Sequence, residues 1–356
     1  MTWRIPKLLT KVRDLGYDAY LVTDDVNVKY LTGLPNPQSP YLLVRAHANT
    51  IICLPSDGYA TAKSLISGVC EIKAADVGQP TFDLLLGDLP RMGLKRIGFD
   101  TLTVDDYLKL TERARNTSFV PDRNAMWELR MIKSEEEIAA IRKAAKIADV
   151  GQKTAAEVIR PGIREYEVAA EVEYAMRVLG SEDEGHRTVV ASGSRTITGS
   201  MGGYTTNREI GKDELVEVDT GATIDGYRTD LGRTYVAGKP TAKQKEIYEL
   251  VQKAWSAAFE CVKPGALAGD VDAAARRAYG NEYEKYLIFE AGHGIGLTFE
   301  PPLLTKNSKA VLKENMVVTV EPGLSGILGV GGFLIEDTTL VVKDGAERLT
   351  APALDW

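Results

Sequence analysis

Histidine and cysteine are scarce in this chain, with three of each among 356 residues. An odd cysteine count without a C-x-x-C pair argues against a disulfide framework and a finger-type zinc site. Cys53, Cys70 and Cys261 are therefore expected to be reduced, buried thiols. No apolar run approaches the roughly 20 residues that span a bilayer. The opening stretch MTWRIPKLLTKVRD interleaves charged and apolar residues, the pattern of an amphipathic helix rather than a secretory leader. A large excess of one charge is missing too. Lys and Arg number 43 against 50 Asp and Glu, a net charge of -7, which argues against a nucleic-acid-binding surface. Internal repeats and low-complexity stretches are also absent. These absences predict a cytoplasmic protein without membrane or nucleic-acid partners, and the length predicts two domains.

What is present falls into two parts. From Pro6 to about Asp122 short helical and strand patterns alternate, which predicts an α/β domain. Helices are expected over Leu8 to Leu15 and Val104 to Arg115, and strands over Ala19 to Thr23 and Arg96 to Asp100. Then WELRMIKSEEEIAAIRKAAKIAD opens a long helix. Ser134 and Glu137 form a capping box ahead of an apolar stripe at Ile138, Ile141, Ala145 and Ala148. The boundary is placed in Asn124 to Lys133, giving domains 1–125 and 126–356. A further helix is expected from Thr241 to Val262, closed by Pro264-Gly265.

The chemistry lies in the second part. Asp219, Asp230, His293, Glu321 and Glu336 occupy the strings EVDTGATIDGYRTDLGRT, AGHGIGL, VTVEPG and LIEDTTL. Four acids gathered in a partly buried site raise one another's pKa. Two divalent cations would cancel their charge and keep the imidazole neutral, as a ligand must be. Such a pair can polarise a carbonyl and generate a hydroxide at neutral pH. The Asp225-Gly226 turn sets Ile224 opposite Tyr227, hence Asp219 opposite Gly232 and Asp230 opposite Gly221. The two aspartates are then diagonal neighbours on one face, with Cβ atoms roughly 7 Å apart. That spacing suits two ions roughly 3.5–4 Å apart, and the glycines opposite are expected to leave the face open. Glu321 ends a strand-like run at Pro322-Gly323, and Glu336 sits among apolar strand residues. His293 lies between glycines that permit close backbone approach. Singly, each could be an edge acid or a satisfied loop histidine. Together they are hard to place without cations.

These residues resemble the "pita-bread" metallopeptidases: Xaa-Pro dipeptidases (prolidases), Xaa-Pro aminopeptidases and methionine aminopeptidases. The resemblance covers nearly the whole chain. YLVTDDVNVKYLTGL resembles the start of a creatinase-like N-terminal domain, and LRMIKSEEEIAAIRKA the junction helix. That N-terminal domain points to the prolidase and aminopeptidase P branch. The implied fold is an α/β N-terminal domain plus an α+β catalytic domain, whose curved antiparallel sheet is covered by helices. The implied activity is hydrolysis of short peptides at Xaa-Pro bonds with two divalent ions per subunit, Mn²⁺ or Co²⁺ first, Zn²⁺ or Fe²⁺ otherwise. By resemblance Asp219 chelates one ion, and Asp230 and Glu336 bridge both. His293 and Glu321 then bind the second, with Glu321 also shuttling a proton. A homodimer is implied, with the N-terminal domain near the partner's pocket.

Three departures stand out. The family's upstream P-H-G histidine has no match between Thr198 and Gly203, and the one usually following HGIGL is absent from Thr298, Phe299 and Glu300. The arginine usually two before the last glutamate is Leu334. These groups bind the substrate carboxylate or stabilise the tetrahedral intermediate, so Xaa-Pro dipeptidase specificity is less secure than metal binding. His186 and Arg228 are the expected catalytic substitutes, as donors to the substrate, with Tyr204 or Arg195 as fall-backs. Two other readings are weighed. A metal-free creatinase-like C–N hydrolase predicts replaced ligands and a histidine in the upstream loop. A non-catalytic peptidase-like binding protein predicts lost ligands.

Overall fold

A computed structural model describes residues 4–196, 204–287 and 289–352. The stretch Thr198 to Gly203 lies outside them. The chain divides into two compact units, Met1–Arg130 and Met131–Trp356, and the division falls inside the segment Asn124 to Lys133. Among the described residues no helix is long and apolar enough to cross a membrane.

The first unit carries a six-stranded mixed sheet. Its strands are β1 (Ala19–Val22), β2 (Tyr41–Arg45), β3 (Thr50–Pro55), β4 (Cys70–Ala75), β5 (Arg96–Phe99) and β6 (Ser118–Pro121), in the order β4-β3-β2-β1-β5-β6. β1 runs parallel to β5 and antiparallel to β2. All four residues of β1 are buried, as befits a central strand covered on both faces. The expected helices form as Arg4–Asp14 and Val104–Arg113. Strands expected to reach Thr23 and Asp100 stop one residue earlier. The Asp100 carboxylate draws the chain out of the ladder by accepting from Thr23 N at 2.9 Å and Asn27 Nδ2 at 2.9 Å.

The second unit opens with the helix Glu135–Val158, and its Ser134–Glu137 capping box is present. Ile138, Ile141, Ala145 and Ala148 are buried along it. The other Glu137 carboxylate oxygen accepts from Tyr227 Oη at 2.6 Å. Farther along the helix, buried Gln152 donates to the carbonyls of Val218 at 3.0 Å and Leu231 at 2.9 Å.

One group of strands comprises β7 (Val189–Ser192), β8 (Leu215–Thr220), the short hairpin β9 (Thr223–Ile224) and β10 (Tyr227–Arg228), and β11 (Leu231–Val236). A second comprises β12 (His293–Ile295), β13 (Phe299–Leu303), β14 (Val317–Val320), the pair β15 (Leu324–Ile327) and β16 (Gly331–Phe333), β17 (Asp337–Val342) and β18 (Gly345–Arg348). The sheets β11-β8-β7 and β13-β12-β14-β17-β18 are antiparallel throughout. An Arg233–Ile335 bridge and hydrogen bonds between Gly232 and Glu336 join them. Helices Glu135–Val158 and Glu165–Val178 cover the first sheet through Ala148, Val168, Val172 and Val218. Ala242–Glu260 and Ala268–Tyr283 cover the second through Val251, Ala275, Val318 and Ile335. This is the helix-covered antiparallel sheet that the resemblance implied.

Candidate metal centre

The turn at Asp225-Gly226 sets the site's register. Both residues have positive φ, 53° and 80°, as a two-residue type I′ hairpin turn requires. Ile224 pairs with Tyr227 and Asp219 with Gly232, so no residue is gained or lost between them and both aspartates keep the same face. The glycines do not leave that face open. A Cβ at Gly221 would strike the Thr229 carbonyl, and one at Gly232 would strike the Leu334 side chain. Their missing side chains let the backbone of Thr229 and the leucine at the arginine position close in. Across the sheet, Gly232 lies between Asp219 on one side and Glu336 on the other.

Three strand ends bring in the rest. His293 begins β12, Glu321 follows β14, and Glu336 precedes β17. His293 Nε2 lies 3.2 Å from Glu321 Oε1 and 3.7 Å from Asp230 Oδ2. Its Nδ1 is 3.0 Å from the Gly294 carbonyl, and the Phe299 ring meets the imidazole edge-on at 4.3 Å. His186, just before β7, places Nε2 3.0 Å from Asp219 Oδ1 and 2.9 Å from Asp230 Oδ1.

Burial and mutual repulsion dominate the electrostatics. Burial, reinforced by Asp230, holds the Glu321 and Glu336 carboxyls well above their ordinary range. Burial and Asp219 push Glu217 up to about 8. Asp219 is also raised by burial, while Asp230 is lowered, because His186, His293 and a contact with Asp219 together outweigh the burial that opposes its ionisation. Burial disfavours a charged His186, yet Asp230 and Asp219 overcome it and raise the ring well above its usual value.

The residues fit divalent ions. His186 Nε2, Asp219 Oδ1, Asp230 Oδ1 and Glu336 Oε1 are buried without a hydrogen-bond partner, a costly state for polar atoms unless something else satisfies them. Ligating atoms of His186, Asp219 and Asp230 lie within 4.8 Å of one another, as do those of Asp230, His293 and Glu336. Asp230 belongs to both triads. The acid-rich donor set with imidazole suits several transition-metal ions.

These groups line a cavity of about 500 Å³, flanked by Phe289, Phe299, Phe333 and Leu334. Glu217 and Arg187 also line it. Glu217 could have been found from sequence, since alternation puts it on the face of Asp219. Arg187 carried no such signal; its guanidinium lies 3.9 Å from the centroid of the cavity-lining Tyr204 ring. Arg228 donates to the Gly185 carbonyl at 3.0 Å, and its buried Nε has no partner. Arg195 is engaged by the Glu165 carboxylate and the Tyr204 carbonyl, which draws it away from the fall-back role. Glu300, near the position of the missing histidine, forms a buried ion pair with Lys133 at 2.9 Å. Behind Glu336, Arg233 and Arg348 pair with Asp337 at 2.8 and 3.0 Å.

Comparison with known proteins agrees with this architecture. The sequence model of metallopeptidase family M24 matches residues 139–343, and that of the creatinase/prolidase N-terminal domain matches residues 4–132. An Xaa-Pro dipeptidase of Pyrococcus furiosus is 36% identical over 355 residues, covering 98% of each chain. The crystal structure of the prolidase from Pyrococcus horikoshii OT3 superposes with a TM-score of 0.90 at 34% identity, covering 99% of both chains. That of an X-Pro aminopeptidase from Thermotoga maritima superposes with a TM-score of 0.89 at 25% identity, covering 99% of this chain and 98% of that one. With both domains matched and the acid and imidazole groups gathered in one cavity, the chain belongs to metallopeptidase family M24.

Proposed function

We propose that this protein hydrolyses short peptides at Xaa-Pro bonds, using two divalent ions held by Asp219, Asp230, His293, Glu321 and Glu336. One observation carries the reading: two triads of ligating atoms share Asp230, and several of those atoms are buried without partners. When bound, the ions supply Lewis acidity and lower the pKa of water. Glu321 takes a proton from the attacking water and returns it to the leaving amine. Thr319 Oγ1, donating to its Oε1 at 2.8 Å, orients that carboxyl. Phe289, Phe299, Phe333 and Leu334 offer an apolar flank to a pyrrolidine ring and exclude water from it. Arg187 is the cavity's one Lys or Arg among the described lining residues, so a substrate carboxylate would turn toward it. Arg228, held at the Gly185 carbonyl with its Nε buried, is not among the described residues lining that cavity.

Mn²⁺ or Co²⁺, a homodimer and a cytoplasmic location complete the reading. The three unpaired thiols suit a reducing compartment. An intact ligand set disfavours both the metal-free hydrolase and the non-catalytic binding protein. The test is a panel of Xaa-Pro dipeptides, longer Xaa-Pro peptides and proline-free peptides, offered to metal-reconstituted protein. Cleavage confined to Xaa-Pro bonds is expected. No cleavage of any member by protein carrying two ions would overturn the reading.

A further inference from the structure

The five-residue ligand set contains one imidazole, yet a second converges on the same carboxylates. His186 Nδ1 lies 2.9 Å from the carbonyl of Arg187. A carbonyl only accepts, so the neutral ring carries its proton on Nδ1 and turns a bare Nε2 lone pair toward Asp219 and Asp230. His293 is held likewise, with Nδ1 3.0 Å from the carbonyl of the next residue, Gly294. A backbone carbonyl behind the far nitrogen is a common means of fixing the tautomer and direction of a metal-binding imidazole. The close contacts of His186 do not function as aligned hydrogen bonds, because Nε2 and both Oδ1 atoms lack a hydrogen-bond partner. They lie 2.9 and 3.0 Å apart. Ligand atoms at right angles on one ion, each at about 2.0–2.2 Å, are roughly 3 Å from one another.

We propose that His186 is itself a metal ligand, binding one ion through Nε2 together with Asp219 and Asp230, so that each of the two ions carries one imidazole. The inference rests on the dinuclear reading above and changes its metal preference. An added imidazole favours Co²⁺ or Zn²⁺ over the Mn²⁺ that an all-carboxylate site suits. It also turns His186 from the substrate to the metal.

The unmutated protein supplies the first test. Loaded with two equivalents of Co²⁺, it should give one imidazole per cobalt by X-ray absorption; half an imidazole per cobalt would overturn the proposal. Calorimetric titration with Co²⁺ supplies the second. His186→Ala and His186→Phe should each weaken one of the two sites by about 100-fold or more, since even groups behind a ligand are worth 10–100-fold. Two sites of unchanged affinity in both variants would refute ligation. So would wild-type protein binding one ion where the variants bind two, because a protonated ring would then stand in an ion's place. Wild-type protein that binds no ion would instead sink the dinuclear function, and this inference with it.

Discussion

Glu165 and Glu336 lie in the same unit, 0% and 1% exposed, and the chain surrounds them in opposite ways. Glu165 accepts from the backbone and hydroxyl of Ser192 at 2.9 and 2.8 Å, from those of Thr206 at 3.1 and 2.6 Å, and from Arg195. Burial works against its charge, but these donors prevail and hold the carboxyl below its usual range. Glu336 leaves Oε1 without a partner. Burial and the Asp230 carboxylate push it well up. The fold can therefore neutralise a buried acid with its own donors. Where it gathers acids and withholds donors, a cation completes the arrangement.

Breaking the bare cluster should have the largest effect. Asp230→Asn removes the carboxylate common to both triads, so metal analysis should find at least one ion lost and peptide assays nearly all turnover gone. Full metal content with wild-type turnover would end the dinuclear assignment.

Breaking the satisfied cluster should affect stability and leave metal content intact. Glu165→Gln should cost about 3 kcal/mol at pH 7 by urea unfolding, the lower end for a broken buried ion pair, because Arg195 retains solvent access. The pH dependence sharpens the contrast. The folded-state pKa of Glu165 lies below its reference value of 4.5. Its stabilisation is thus complete above that value and lost as pH falls through the folded pKa. The gap between wild type and Glu165→Gln should close in acid, below about pH 4.5. A gap that persists or widens there would show that the charge is not what stabilises this cluster.

Chelation should have the smallest effect of the three. Free ion at about ten times its Kd contributes about 1.4 kcal/mol per site, about 2.8 kcal/mol for two, or roughly 6–11 °C in a unit of this size. Calorimetry with and without a chelator measures the difference. No shift in Tm would mean that the ions leave folding untouched.

Local signals made much of this visible in the sequence. Asp225-Gly226 fixes a hairpin register by itself, and Ser134 with Glu137 fixes a helix start. Acids in apolar strands stand out wherever the fold later puts them. His186 was visible only as a candidate, because its approach to Asp219 and Asp230 depends on a loop packed backbone to backbone. Gly185 and Gly221 are so close that a Cβ on Gly185 would meet the Gly221 backbone. Pattern cannot reveal that contact. The same holds for Arg195, whose partner Glu165 begins the helix Glu165–Val178, and for Lys133 and Glu300, paired across 167 residues of chain.

The helix Glu135–Val158 grips the aspartate hairpin twice, through Glu137 at Tyr227 and through Gln152 at Val218 and Leu231. Those two grips stand about 22 Å apart along the helix axis. A fluctuation that parted Asp219 from Asp230 would have to detach the helix as well, so hairpin and helix open as one cooperative unit. The hairpin amides should then exchange with solvent as slowly as the helix they lie on, and the two carboxylates come together when the chain folds rather than when an ion arrives.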